Sequence, residues 1–266
     1  MIDTLLLAAC RISTFEPARS LTHASGFLFE RDARLYLVTS RHVLVDEPSG
    51  HHPNRIEIEL HTDVDDLAKS VRFSVLLFRD GQSQWHQGCD ASGDIDVAVL
   101  ELDRAALPPS ALVRAFTPEH LCRVGEPVEV GSSVLIVGFP LGFHDTLHHL
   151  PVVRQAVIAS AFGLRFQGQG YFLTDALTHR GTSGAPVVMR DHDVAHAAEL
   201  GDLPWRLLGV HSARLDMANR DREQDESLGL NCAWYADMLM TLTDDSRTPA
   251  LTGAREPVSA QSSIRV

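Results

Sequence analysis

Thr178-His179-Arg180-Gly181-Thr182-Ser183-Gly184-Ala185-Pro186-Val187-Val188 sets a serine between two glycines and runs directly into an apolar stretch. Glycines flanking a nucleophile let the backbone turn tightly and bring amide N–H groups close to a reacting carbonyl. The run Pro186-Val187-Val188-Met189 predicts a strand that anchors this turn in a core. A chemically silent glycine turn has the same composition, so the reading depends on what the rest of the chain supplies.

Upstream, His42 lies in Leu37-Val38-Thr39-Ser40-Arg41-His42-Val43-Leu44, directly after an apolar strand, and Asp96 opens Val97-Ala98-Val99-Leu100. A serine nucleophile needs a base to take its proton, and that base needs a carboxylate to fix its tautomer and stabilise its charged form. One histidine among 14 carries little information, and Asp96 alone could cap a strand. The order His, Asp, Ser, each at the end of an apolar strand, is much harder to reach by accident. Asp94 competes with Asp96 within Gly93-Asp94-Ile95-Asp96. The carboxylate immediately before the apolar run is Asp96, which leaves Asp94 as a solvated turn residue.

The chain between these points is strand-rich. A first strand is expected to enter the fold at residues 1–10, followed by a loop over 13–22 that contains Pro17. Residues 25–30 and 34–39 flank a polar Arg31-Asp32-Ala33 turn and predict a hairpin. Arg55-Ile56-Glu57-Ile58-Glu59-Leu60 alternates as a half-buried strand should. Further strands are expected at 71–78 and 96–102, then at 127–130, 133–139, 152–161, 171–174, 186–189 and 207–212. Leu107-Pro108-Pro109-Ser110 breaks the series into two groups. The expectation is an all-β protein of two small antiparallel barrels: residues 1–106, a connector over 107–124, and 125–243 ending in a short helix. Residues 244–266, rich in Ser, Thr, Pro and Ala, are expected to be a disordered tail.

Composition excludes several alternatives. The net charge of -12, with no basic stripe, argues against a nucleic-acid partner. Lys69, in an acidic stretch, is the sole lysine, which disfavours a Ser–Lys dyad. Cys10, Cys89, Cys122 and Cys232 form no CxxC pair and read as isolated reduced thiols. No apolar run approaches the length of a membrane span. Leu7-Ala8-Ala9-Cys10 has the look of a lipoprotein cleavage box, but Asp3 and the lack of a basic n-region argue against a signal peptide, so a cytoplasmic location is expected. No cofactor is expected. His144, His148 and His149, in a stretch bounded by Gly142 and Pro151, read as a mobile loop near the active site more than a metal site, and His51-His52 as a solvated turn.

Taken together, these segments resemble the trypsin-like (chymotrypsin-fold) serine peptidases, particularly their bacterial members, over residues 20–235. Thr39-Ser40-Arg41-His42-Val43 looks like the catalytic-histidine segment, Asp96-Val97-Ala98-Val99-Leu100 the catalytic-aspartate strand, and Gly181-Thr182-Ser183-Gly184-Ala185-Pro186 the nucleophile loop. Gly209-Val210-His211-Ser212 is similar to the strand bordering the substrate, and Gly138-Phe139-Pro140-Leu141-Gly142 to the Gly-x-Pro-x-Gly turn of the high-temperature-requirement peptidases. The resemblance implies two six-stranded barrels, Ser183 as nucleophile, His42 as base, Asp96 as its orienter, and an oxyanion hole from the amides of Gly181 and Ser183. Thr182 stands where secreted relatives carry an aspartate that pairs with a new N-terminus, so activation by that salt bridge is not expected. Ala185 replaces a common glycine and would be costly at positive φ.

The same resemblance places Leu177, Thr178, His211, Ser212 and Arg214 around the substrate. Thr178 and His211 match the hydroxyl and imidazole of relatives selective for glutamate or glutamine, an expectation of acidic or amide P1 residues. Leu177, near the pocket base, cannot favour Arg or Lys. The function expected is an endopeptidase acting on protein or peptide substrates, gated by a regulatory protein partner or by the loops at 139–151 and 190–203. The alternative is a catalytically silent fold binding a peptide in its cleft, which the presence of all three residues disfavours. An α/β-hydrolase esterase would need the order Ser, Asp, His and a glycine at Ala185.

Overall fold

The computed structural model describes residues 2–122, 125, 127–215 and 228–244, so the expected tail from 245 onward lies outside the described residues. Two curled antiparallel sheets carry the molecule. The first is built from β1 (Ala9–Glu16), β2 (Arg19–Arg31), β3 (Arg34–Thr39), β4 (Arg55–His61), β5 (Ser70–Leu76), β8 (Trp85–Asp90) and β9 (Gly93–Leu102) in the order β5-β4-β1-β2-β3-β9-β8. A two-stranded ribbon, β6 (Phe78–Arg79) with β7 (Gln82–Ser83), projects beside it. Within the expected connector, β10 (Ala115–Phe116) adds to β2 in parallel, so the first sheet has eight strands against the six expected. The second sheet has six: β11 (Ser133–Gly138), β12 (Val152–Val157), β13 (Tyr171–Thr174), β14 (Pro186–Arg190), β15 (Trp205–Arg214) and β16 (Asn231–Tyr235), ordered β12-β11-β14-β15-β16-β13.

Side-chain alternation explains why several strands are apolar on both faces. On β2, β3 and β9, Leu28, Leu35, Leu37, Ala98 and Leu100 point into the first barrel. The intervening Phe27, Phe29, Tyr36, Val38, Val97 and Val99 point outward, into a shared core with Val137, Val188, Leu207 and Val210 of the second sheet and Phe139 just beyond β11. The strand carrying Asp96 is therefore a two-sided wall, one face filling a barrel and the other the seam. Full burial of each such side chain stabilises by about 1.5–3 kcal/mol.

Two short helices, one before the first strand and one after the last, link the halves. Four residues, α1 (Leu5–Ala8), precede β1, and Thr4 Oγ1 donates to the Asp202 carbonyl on the second half. Helix α3 (Met238–Leu242) returns to the first: Arg31 donates to the Met240 carbonyl at 2.6 Å, and His86 meets that of Leu242 at 3.2 Å.

Several local expectations change. Residues 5–8 are helical rather than the start of a strand, because Asp3 Oδ1 accepts from the Leu5 N–H at 3.0 Å and an unbroken apolar run has no period of its own. The expected loop over 13–22 is mostly strand, since Glu16 pairs with Arg19 and only Pro17 and Ala18 make the turn. Residues 127–130 form no strand; Val130 is 65% exposed and leads into a turn closed by Ser132 N–H on the Glu129 carbonyl. The 25–39 hairpin is as expected, with Asp32 and Ala33 both at positive φ (51° and 63°), the backbone a two-residue I′ turn demands.

Candidate active site

His42 sits in α2 (Arg41–Leu44), a single helical turn leaving β3. Thr39 pairs with Ala98, so the neighbouring strand brings Asp96 beside that turn. The His42 backbone N–H donates to Asp96 Oδ1 at 2.9 Å, and its ring Nδ1 meets Asp96 Oδ2 at 2.7 Å. The Ser212 hydroxyl also donates to Oδ2. Burial pushes the Asp96 carboxyl up, but His42 and these hydrogen bonds outweigh it and hold it below the usual range. An ionised carboxylate only accepts, so Nδ1 carries the hydrogen and Nε2 keeps a lone pair. Burial likewise pulls the imidazole down, while the Asp96 hydrogen bond and charge, with the charge of Asp46, leave it above its ordinary 6.5. Asp94 is exposed and takes no part.

The nucleophile turn is held by backbone. Gly181 and Gly184 are both left-handed, at φ 89° and 85°. A Cβ on Gly181 would meet the Phe139 carbonyl oxygen at 2.6 Å and the Leu141 nitrogen at 2.9 Å. Ala185 escapes the expected strain because the left-handed residue is its neighbour Gly184. The turn is stitched to the first barrel through Ser25. Its N–H donates to the Ser183 carbonyl (3.0 Å), and its hydroxyl donates to the Gly181 carbonyl (2.7 Å) while accepting from the Phe139 N–H (2.9 Å). Among the described residues the amides of Gly181 and Ser183 have no acceptor. Ser183 Oγ donates to the Ser212 carbonyl at 2.9 Å, and no hydrogen bond joins it to His42.

His42 and Ser183 line one cleft of about 260 Å³, together with Thr178, His211, Ser212 and Arg214. Leu177 differs from its expected place: it is 66% exposed and outside the lining. Thr178 is buried and donates to Asn231 Oδ1 at 2.6 Å, while Asn231 Nδ2 donates to the Ala176 carbonyl at 2.7 Å. That chain fixes the amide's orientation and leaves the Thr178 oxygen as an acceptor. His211 is buried, and burial, with the His42 charge second, pushes its pKa down to about 3; it is a neutral imidazole with an unpartnered Nδ1. Ser25 and Asn231 escaped the sequence reading, because each is one short polar residue within a strand, and the partners it joins are remote in sequence.

A family model described as a trypsin-like peptidase domain matches residues 24–195, a span that includes His42, Asp96 and Ser183. "Serine protease HTR4" of Bos taurus is 25% identical over 174 residues, 65% of this chain and 29% of its own length. The chain thus spans under a third of that relative. The crystal structure of the serine endoprotease from Yersinia pestis shares the fold, with a TM-score of 0.53 at 18% identity over 89% of this chain and 61% of that one. With more than half its length matched by the family model, this chain belongs to the trypsin-like peptidase domain family.

Proposed function

We propose that the chain is a serine endopeptidase with Ser183 as nucleophile, His42 as general base and Asp96 as its orienter. The observation that carries this reading is the His42–Asp96 pair facing Ser183 across one cleft. Rotation of Ser183 about χ1 moves its hydroxyl from the Ser212 carbonyl toward the imidazole when substrate enters. Oγ then attacks the scissile carbonyl as Nε2 takes its proton, and the carbonyl oxygen becomes an anion held by the amides of Gly181 and Ser183. The imidazolium protonates the departing amine, leaving an acyl-enzyme. Water, deprotonated by the same nitrogen, attacks the ester and restores Ser183.

A fluorophosphonate probe tests this directly. Wild type should be labelled on Ser183, and both Ser183→Ala and His42→Ala should abolish the label. A folded wild type that resists labelling in the presence of cleavable peptide, or a label that persists in Ser183→Ala, would overturn the assignment.

For the substrate, we propose a carboxamide side chain at P1. A neutral His211 offers one N–H donor, and Thr178, its own hydrogen engaged by Asn231, offers a lone pair. A carboxamide brings one acceptor and two donors and so suits both, whereas a carboxylate brings acceptors only. In a peptide library, glutamine at P1 should exceed glutamate and leucine by at least about tenfold in kcat/KM, and His211→Leu should erase the preference. Cleavage after Arg, Lys or large aromatics would refute it. Loop 139–151 is the candidate gate, since the Leu141 N–H donates to the Arg180 carbonyl at the edge of the nucleophile turn.

A further inference from the structure

We propose that Glu59, His144 and His149 form a site for a divalent transition-metal ion of the zinc type, one that fastens loop 139–151 to the first barrel. The three residues each offer one ligand atom, and these atoms all lie within 4.8 Å of one another. Donors around a zinc ion at about 2.0–2.2 Å stand some 3–4 Å apart, so a small closure of the loop completes the set. Glu59 comes from β4, whereas the two histidines come from opposite limbs of the loop. The Asp145 N–H, donating to the Leu150 carbonyl at 3.0 Å, brings those limbs together.

Three further features point to an ion. His144 Nδ1 lies 2.6 Å from the Gly142 carbonyl oxygen, so it carries the hydrogen and Nε2 presents a lone pair. Metal-ligating histidines are commonly oriented by such a carbonyl. His149 is held at φ 56°, a left-handed conformation that is costly for a residue with a side chain. That conformation puts its buried Nδ1 3.1 Å from Glu59 Oε1 without forming a hydrogen bond. Glu59 itself is held by Arg11 on Oε2 (2.7 Å) and by the Ser70 hydroxyl on Oε1 (3.0 Å).

Two imidazoles and one carboxylate suit a borderline-soft ion, while calcium and magnesium prefer oxygen throughout. Water would complete the coordination. Arg11 opposes the ion's charge, which makes this an exchangeable site more than a permanent one. Its place gives it leverage, because the same loop starts at Phe139 and Leu141, the backbone packed against Gly181. The site is independent of the catalytic roles proposed above.

The test is titration of the full chain, stripped with chelator, with Zn²⁺ followed by calorimetry and with Co²⁺ followed by its visible d–d absorption. We expect one ion per chain and the intense bands of a tetrahedral site. His144→Ala and His149→Ala, both loop substitutions, should each weaken binding by at least about tenfold and remove the bands. His148→Ala should leave both readouts unchanged, since that ring binds Asp145 at 2.8 Å. Unfolding curves in chelator establish that all variants fold. No saturable one-to-one binding by wild type, or binding undiminished in either His144→Ala or His149→Ala, would overturn the proposal.

Discussion

Asp96→Asn is expected to lower kcat/KM by about 10⁴-fold while leaving the protein folded, the magnitude known for the general Ser-His-Asp template. Asp96 accepts three hydrogen bonds, from the His42 N–H, His42 Nδ1 and the Ser212 hydroxyl. An asparagine has one acceptor oxygen, so its NH₂ must face one of those partners. If it faces Nδ1, that nitrogen becomes the acceptor, the hydrogen moves to Nε2, and Ser183 loses its base. If it faces elsewhere, the imidazolium still loses its countercharge.

The pH profile separates this from a loss of fold. The base works as neutral imidazole, so wild-type activity rises with pH through a pKa held above 6.5. Asp96 supplies the main upward pull on that value, against the downward pull of burial. Its removal shifts the acidic limb of kcat/KM to lower pH even as the plateau falls. A variant within tenfold of wild type, or one whose limb stays in place, would show that Asp96 does not act through His42.

What could be read from the sequence was whatever one segment states by itself. His42, Asp96 and Ser183 each flank an apolar run that is visible in the sequence, and the glycines at 181 and 184 mark a turn in left-handed backbone. Other parts depend on partners remote in sequence. Residues 85–90 form β8 with little alternation, for Gln87 is occupied in joining Trp85 (2.8 Å) and Arg41 (3.1 Å). Conversely, Val128 and Val130 beside Pro127 imitate a strand but pair with no neighbour among the described residues. The loop histidines give no sign of Glu59, which lies 85 positions before His144 and faces them only after the first barrel is built. Thr178 and His211 could be matched by resemblance, but the hydrogen bond from Thr178 to Asn231, on which the proposed choice of a carboxamide rests, exists only in three dimensions.

Gly184→Ala is expected to destabilise the protein by at least about 3–5 kcal/mol and to abolish probe labelling of Ser183. The backbone there is left-handed at φ 85°, which alone costs an alanine about 1–2 kcal/mol. The larger contribution is steric. A Cβ at this position would run into the Ser25 carbonyl oxygen and Thr39 Oγ1, and would lie 2.9 Å from Thr39 Cα. Two of these three atoms are backbone, on adjacent strands of the first barrel, and the third is fixed because Thr39 Oγ1 donates to that same Ser25 carbonyl at 2.8 Å. Nothing there can move aside cheaply. Relief requires the nucleophile turn to withdraw from β2 and β3, which breaks the Ser25–Ser183 and Ser25–Gly181 hydrogen bonds and carries Ser183 away from His42. Thermal unfolding and labelling rate, measured together, resolve the two consequences. A lowered midpoint with residual slow labelling would mean that the seam yields and the turn survives within it. A midpoint and a labelling rate both equal to wild type would show that Gly184 is not wedged against the first barrel, and that the two halves of the site are not held in register by this contact.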